Sequence, residues 1–143
     1  MKTTAFVTCL LIAVTVVRGF DEDTIVSEYL EYLMPDIRPC ADEFKMSEEA
    51  ATNVQYHKDV AATRTLGCVK ACVMKRMKVL GSGTDFNLEP IYKMIDVVHA
   101  NNPDDHKLVM TIAQECAESI KGEPDECVIG NKYTDCYVEK LFN

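Results

Sequence analysis

The sequence predicts an all-α fold, arranged as one compact domain of about six helices. Apolar residues recur at steps of three and four along six segments, which is the period of one face of a helix. Residues that cap or break helices separate these segments. We find no run of alternating apolar and polar residues typical of strands, no internal repeat and no low-complexity linker. A length of 143 residues is sufficient for one hydrophobic core.

A signal peptide is predicted at residues 1–19, which leaves a single domain at residues 20–143. Lys2 gives the segment a positive start, residues 5–17 are almost wholly apolar, and Gly19 is a small residue suited to the cleavage site. The apolar stretch is shorter than the roughly 20 residues needed to span a bilayer, so no membrane insertion is expected. We therefore expect a secreted, extracellular protein that loses Cys9 with the leader.

Three helices are predicted in the first half of this domain. The first covers residues 21–35, and the proline at its end breaks it. The second begins at Ser47, a residue type suited to the N-cap, and runs to about Tyr56. The third covers residues 63–80 and stops at the glycine pair in residues 81–83. The apolar residues that mark the first and third helices are Ile25, Val26, Tyr29, Leu30, Leu33, Leu66, Val69, Val73, Met77 and Leu80.

Three more helices are predicted in the second half. The fourth is marked by Leu88, Ile91, Ile95 and Val98. The fifth begins at residues 102–105, where Asn can cap, Pro suits the first position and two acids favour the positive end of the helix dipole. The sixth runs from residues 124–125 to about Phe142. The acid clusters of the chain lie at such helix starts, so we interpret them as capping groups.

The charge of the chain excludes two classes of partner. The sequence has 15 basic and 23 acidic residues, and the leader removes Lys2 and Arg18 but no acid, so the mature charge is 13 − 23 = −10. Nucleic acids and anionic membrane surfaces require basic patches. We therefore expect no nucleic-acid partner.

Motifs for catalysis are absent from the sequence. It contains no Gly-x-Ser-x-Gly, no His-Glu-x-x-His, no phosphate-binding loop and no calcium loop. We expect no enzymatic activity, no catalytic residues, no metal site and no cofactor.

Six cysteines remain after leader removal, and their spacing is informative. They are Cys40, Cys68, Cys72, Cys116, Cys127 and Cys136, with 27, 3, 43, 10 and 8 residues between them. An even number in a secreted chain favours three disulfides, with fifteen possible pairings. Cys68 and Cys72 lie one helical turn apart and are badly oriented to bond each other. A zinc site or a redox-active pair is less favoured, because no finger-like histidine spacing and no Cys-x-x-Cys motif is present.

This cysteine spacing resembles that of the insect odorant-binding proteins. Three further features support the resemblance: LGCVKACVMKRMKVL before a glycine turn, VVH before the capped helix that carries the fourth cysteine, and an aromatic residue directly after the sixth. The sequence is especially similar to the moth pheromone- and general odorant-binding branch of that family, and the similarity covers residues 20–143. The resemblance implies six helices around an apolar cavity, stapled by three disulfides. The implied pairs are Cys40–Cys72, Cys68–Cys127 and Cys116–Cys136.

The resemblance also implies a ligand. Residues at pocket positions of the moth branch correspond here to Leu33, Met74, Val79, Leu80, Phe86, Ile95, Met110, Ala113 and Tyr137. This set fits a small hydrophobic volatile or a fatty-acid-derived molecule. Taken from periodicity alone, each member is more often an ordinary core residue than part of a pocket wall. The hydroxyls of Tyr133 and Tyr137 are candidates to orient one polar ligand atom, with the alternative that Tyr133 places its hydroxyl in water.

The function implied is that of a carrier. Such a protein binds odorants or pheromones and transports them through sensillar lymph or another extracellular fluid to an olfactory receptor, as a monomer or weak homodimer. The alternative is a secreted interaction factor of haemolymph, saliva or reproductive fluid, with a filled core and no volatile ligand.

Charged residues near the implied cavity raise two further points. Lys70 lies where moth relatives commonly have an apolar residue; we expect its stem to pack and its ammonium to reach water, with a ligand carboxylate as the alternative partner.

His99 corresponds to a family histidine, whereas the position of a second family histidine is occupied by Gln114, and the chain ends at Asn143. The resemblance therefore implies no switch in which a C-terminal tail enters the cavity. A pH response would depend on the histidines at positions 57, 99 and 106, or on carboxylates that cap helices, unless those histidines are solvated surface residues.

Overall fold

A computed structural model describes residues 21–53 and 60–143, and within these ranges it is entirely helical apart from turns and one isolated bridge. This confirms the predicted all-α fold. The helices are α1 (Glu22–Glu43), α2 (Glu48–Thr52), α3 (Val60–Arg76), α4 (Glu89–Val98), α5 (Pro103–Ser119) and α6 (Glu126–Phe142), with a 3₁₀ turn at Ser82–Thr84. The predicted signal peptide lies outside the described residues, so the boundary at residue 19 stays a prediction.

Helix α1 continues through two prolines, so the prediction that it ends at Pro35 was wrong. Pro35 and Pro39 both lie inside the helix. An interior proline removes one backbone hydrogen bond and costs about 3 kcal/mol. The segment beyond Pro35 is nevertheless buried at Ile37, Cys40 and Ala41. Packing of these residues, together with the disulfide at Cys40, holds the helix together across the prolines.

Helix α2 confirms its predicted cap but is shorter than predicted. The Ser47 hydroxyl oxygen accepts a hydrogen bond from the Ala50 backbone N–H at 3.1 Å. The helix ends at Thr52, with Asn53 as its extended C-cap, instead of continuing to about residue 56. Residues 54–59 lie outside the described part of the chain.

Helix α3 ends at Arg76, four residues before the predicted stop. Lys78 takes the left-handed conformation with φ 69°, and the Val79 N–H donates to the Met74 carbonyl at 2.8 Å. The Lys78 N–H donates in turn to the Lys75 carbonyl at 3.1 Å. These two bonds form a Schellman motif, a helix end that usually has glycine at the left-handed position. The glycine turn at residues 81–83 instead belongs to a loop that pairs Leu80 with Phe86.

The start of α5 confirms the predicted Asn102 cap, and α6 begins directly after the predicted opening residues 124–125. The Asn102 side chain accepts from the Asp105 N–H at 3.2 Å, and the Asp125 side chain accepts from the Cys127 N–H at 3.0 Å. The Arg64 guanidinium also donates to Asp125, and this hydrogen bond is the main reason why the pKa of that carboxyl is lowered. The predicted acid clusters do lie in the first turns of α1, α2 and α5.

Three disulfides connect the helices, and the implied pairing is confirmed. Cys40–Cys72 joins α1 to α3, Cys68–Cys127 joins α3 to α6, and Cys116–Cys136 joins α5 to α6. Their Cα–Cα separations are 5.8, 4.2 and 5.7 Å, respectively. Helix α3 is therefore covalently attached on both sides.

Helices α3 and α6 approach each other unusually closely at two glycines. A Cβ at Gly67 would collide with the Cys127 carbonyl oxygen, and a Cβ at Gly130 would collide with the Gly67 carbonyl oxygen. This close crossing is possible only because both positions lack a side chain. It fixes which α3 residues face α6.

The buried apolar residues form two clusters. The larger draws mainly on α4, α5 and α6, and includes Ile95, Val109 and Ala113. The smaller joins α1 to α3 through Ile37, Cys40, Val69 and Val73. Among the described residues, no helix has both the length and the apolar character needed to cross a bilayer.

Candidate functional site

A cavity of about 190 Å³ is lined by residues of both apolar clusters. Its walls come from α1, the end of α2, α3, α4 and α6. Since the exposed Asn53 takes part in the lining, the cavity reaches the molecular surface at the end of α2. The apolar side chains that line it are Val26, Leu30, Leu33, Ile37, Ala51, Val69, Val73, Met74, Met77, Val79, Ile91, Met94, Val138, Leu141 and Phe142.

The end of α3 helps to form this cavity. The Schellman motif folds Val79 back toward Met74, and both side chains line the cavity. Had α3 continued to Leu80 as predicted, Val79 would have followed the helix axis and would not have returned to Met74. The early helix end therefore shapes the ligand-sized space.

Two tyrosines and a histidine form a hydrogen-bonded network at one wall. The Tyr29 hydroxyl oxygen lies 2.7 Å from His99 Nε2 and 2.8 Å from the Tyr137 hydroxyl oxygen. Both neighbouring rings meet the Tyr29 ring edge-on, with centroids 5.5 and 5.9 Å away. The network ties α1 to the end of α4 and to α6.

Burial sets the protonation of this network. It raises the pKa of the Tyr29 and Tyr137 hydroxyls and lowers the pKa of His99, because charged forms lose their hydration. All three groups are therefore neutral near pH 7. Tyr29 and Tyr137 also line the cavity, so this network forms part of its wall.

Tyr133 also lines the cavity, but its hydroxyl has a partner within the protein. The hydroxyl donates to the Ala113 carbonyl oxygen at 3.1 Å, and the side chain is buried. The alternative that Tyr133 places its hydroxyl in water was wrong. Its ring packs against Phe86, with centroids 4.8 Å apart.

The histidines have different environments. His99 is 3% exposed, so the alternative in which all three are solvated was wrong for this residue. His106 is partly exposed and lies 2.6 Å from an Asp96 carboxylate oxygen. His57 lies outside the described residues. The absence of a tail-insertion switch stays a prediction, and the end of α6 already lines the cavity through Leu141 and Phe142.

Lys70 enters the cavity wall from α3. We expected the ammonium to reach water, but the side chain is only 14% exposed and does not extend freely into solvent. Nζ lies 3.3 Å from Asn131 Oδ1 and 4.0 Å from Asp135 Oδ1. Burial lowers the pKa of Lys70, and the Asp135 charge opposes that effect.

The nine predicted ligand residues are divided by the structure. Leu33, Met74, Val79 and Tyr137 line the cavity. Leu80, Ile95 and Ala113 are buried in the larger cluster, and Met110 and Phe86 pack against that cluster. Phe86 also borders a second, more polar groove of about 330 Å³ beside the end of α5. Contact with a ligand stays a prediction for all nine.

Other lining residues were not selected from the sequence. Val73 lies in the apolar stripe that predicts α3, and Tyr29 lies on the apolar face that predicts α1, but periodicity alone does not separate cavity walls from solid core. The Tyr29–His99 contact spans 70 positions in the chain, so no local pattern could have indicated it. Within residues 21–53 and 60–143, no cluster of three or more His, Cys, Asp and Glu side chains is arranged to hold a metal ion.

Comparison with known proteins identifies the family of this chain. Residues 22–140 match the PBP/GOBP family. The chain belongs to that family. This confirms the resemblance to insect odorant-binding proteins, whereas the assignment to the moth branch stays a prediction.

Two proteins of Drosophila melanogaster are similar to this PBP/GOBP member. General odorant-binding protein 28a is 28% identical over 131 residues, which cover 92% of this chain and 87% of that protein. General odorant-binding protein 19d is 22% identical over 102 residues, which cover 71% of this chain and 67% of that protein. At the level of the family, membership supports a role in carrying small odorants.

Proposed function

We propose that this protein is a secreted carrier of small hydrophobic odorants or pheromones, which it transports through aqueous sensory lymph to membrane receptors. The observation that supports this most strongly is the apolar cavity lined by residues of both clusters. An interaction factor on the same scaffold would need a filled core and an exposed binding surface, and the cavity argues against a filled core. The PBP/GOBP family is a family of binding proteins, which also favours a carrier over an enzyme.

Apolar burial supplies the affinity in this proposal. Each buried CH₂ contributes about 0.8 kcal/mol, so a chain of about twelve carbons supplies about 10 kcal/mol, part of which offsets the cost of immobilising the ligand. Met74, Met77 and Met94 lie in the wall, and thioether side chains adjust readily to ligands of different shape. The tyrosine hydroxyls then orient the single polar end of an alcohol, ester or aldehyde.

A displacement titration with a cavity-filling variant tests the proposal. A fluorescent apolar probe bound to the oxidised, delipidated protein is competed with dodecan-1-ol. For the wild type we expect dodecan-1-ol to displace the probe saturably, with a dissociation constant in the micromolar range. Val73→Phe places a ring into the cavity, and we expect it to weaken binding by about tenfold or more.

Leu108→Phe is the matched control, because it introduces the same ring at a side chain that is 51% exposed and does not line the cavity. Circular dichroism establishes that both variants are folded. Binding by the Val73 variant at wild-type strength, or no saturable binding by the folded wild type, would contradict the proposed function.

A further inference from the structure

The cavity wall contains a charged side chain whose presence apolar ligands do not explain. Among the described residues, Lys70 is the only charged residue in the lining. A lysine that is only 14% exposed is uncommon, because its ammonium loses most of its hydration. A site built solely for neutral odorants gains nothing from this cost.

The crossing of α3 and α6 determines where Lys70 lies. Because Gly130 has no side chain, α6 packs directly onto α3 at Lys70, whose Cβ would lie 3.1 Å from a Cβ at position 130. Lys70 is thereby held beside the residues that follow on α6. The next residue, Asn131, donates from Nδ2 to the Thr63 carbonyl at 2.8 Å. That bond turns Oδ1 of Asn131 toward the ammonium.

The described partners of Lys70 compensate its charge only partly. The Asn131 oxygen is neutral and lies 3.3 Å from Nζ. The Asp135 carboxylate carries the opposite charge, but it lies 4.0 Å away on a side chain that is 51% exposed. An ammonium group has three N–H donors, and charged hydrogen bonds prefer distances of about 2.7–2.9 Å. A closer carboxylate from within the cavity would complete the pairing.

We propose that Lys70 binds the carboxylate of an apolar chain, so that the preferred ligands include free medium-chain fatty acids. The tail lies in the cavity against Val73 and Met74, one turn farther along α3, and the head group meets Nζ at the α6 side. This inference rests on the proposed carrier function and specifies its ligand class. The competing interpretation is that Lys70 only stabilises the α3–α6 contact.

Matched ligands and a single substitution distinguish the two interpretations. Dissociation constants for dodecanoate and methyl dodecanoate are measured at pH 7.5 with wild type, Lys70→Met and Lys140→Met. The last variant is a control, because Lys140 pairs with Glu115 at 3.1 Å and does not line the cavity. We expect Lys70→Met to raise the dissociation constant of dodecanoate about tenfold or more and to change that of methyl dodecanoate by less than about twofold. The control should alter neither.

A second variant changes the affinity in the opposite direction. Asp135→Asn removes the distant carboxylate that competes for Lys70, so dodecanoate should bind about two- to fivefold tighter while the ester is unaffected. Equal weakening of both ligands by Lys70→Met, or no change in either, would overturn the inference and leave the carrier function intact. Failure of the folded wild type to bind either ligand would overturn both.

Discussion

At the scale of single residues, His99 has the least ordinary environment. It is 3% exposed, and its Nε2 contacts the Tyr29 hydroxyl, which in turn contacts Tyr137. Burial lowers the pKa of His99, while the charges of Asp105 and Glu28 raise it to a lesser extent. The imidazole is thus held neutral beside Tyr29 and Tyr137, two of the tyrosines that line the cavity.

This pKa shift predicts a pH dependence of stability. The unfolded chain binds a proton at His99 near the ordinary pKa of 6.5, whereas the folded protein binds it only at lower pH. The contribution of His99 to the free energy of unfolding is therefore fully present above pH 6.5 and is lost as the pH drops from there toward the pKa of His99 in the folded state. Urea denaturation at pH 7.5 and 5.0 measures the loss.

His99→Gln should reduce this loss, because the variant has no imidazole to protonate at that position. His106→Gln is the matched comparison, since His106 is partly exposed, pairs with Asp96 and makes the smallest of the contributions that shift the pKa of His99. Carboxylates contribute to acid destabilisation in every variant, so the comparison depends on the differences between them. An equal loss of stability in wild type and His99→Gln would contradict the assignment.

Residue-scale prediction from sequence succeeded where the physics is local. Ser47 and Asn102 cap the helices that follow them, because a cap needs only its own side chain and a backbone N–H three residues later. The burial of His99 and the partners of Lys70 were not predictable in this way. They depend on contacts across 70 and 61 positions of the chain.

At the scale of helices, the crossing of α3 and α6 determines the site geometry. Gly130→Ala tests it, because the added methyl group would meet the Gly67 carbonyl and lie 3.0 Å from the Ala71 backbone nitrogen. Helix propensity alone favours alanine by about 1 kcal/mol. We expect the steric effect to dominate and to lower the free energy of unfolding by about 1–3 kcal/mol.

Gly81→Ala serves as the control for that measurement. A Cβ there makes only ordinary contacts, the nearest at 3.6 Å, so its effect should be small. Denaturant titration of the oxidised proteins provides the comparison. If Gly130→Ala matched or exceeded the stability of wild type, the close crossing would not be a steric constraint.

Helix boundaries show where tertiary packing overrides local sequence signals. Pro35 is a strong stop signal, yet α1 continues because Ile37, Cys40 and Ala41 are buried beyond it. Glycine at position 81 is also a strong stop signal, yet α3 ends earlier with Lys78 in the left-handed position. In both helices the cost of an unfavourable local conformation is offset by the burial of nearby apolar residues.

At the scale of the whole molecule, the cavity leaves part of the interior unfilled, and the disulfides offset that loss of packing. The three bridges span 32, 59 and 20 positions, and each contributes about 2–4 kcal/mol. The sequence indicated three disulfides, but their pairing came from the resemblance to odorant-binding proteins, since spacing alone permits fifteen arrangements. The cavity likewise followed from that resemblance, because apolar periodicity is the same for a solid core and a hollow one.

The central claim is that an apolar ligand occupies the cavity lined by residues of both clusters. Isotope-filtered NOE spectroscopy with methyl-labelled protein and unlabelled dodecan-1-ol measures this directly. We predict intermolecular NOEs to the methyl groups of Val73, Met74 and Leu141, which line the cavity, and none to the exposed Leu108. Saturable binding without NOEs to the cavity methyl groups, or with NOEs only to Leu108 and other exposed apolar residues, would contradict the claim.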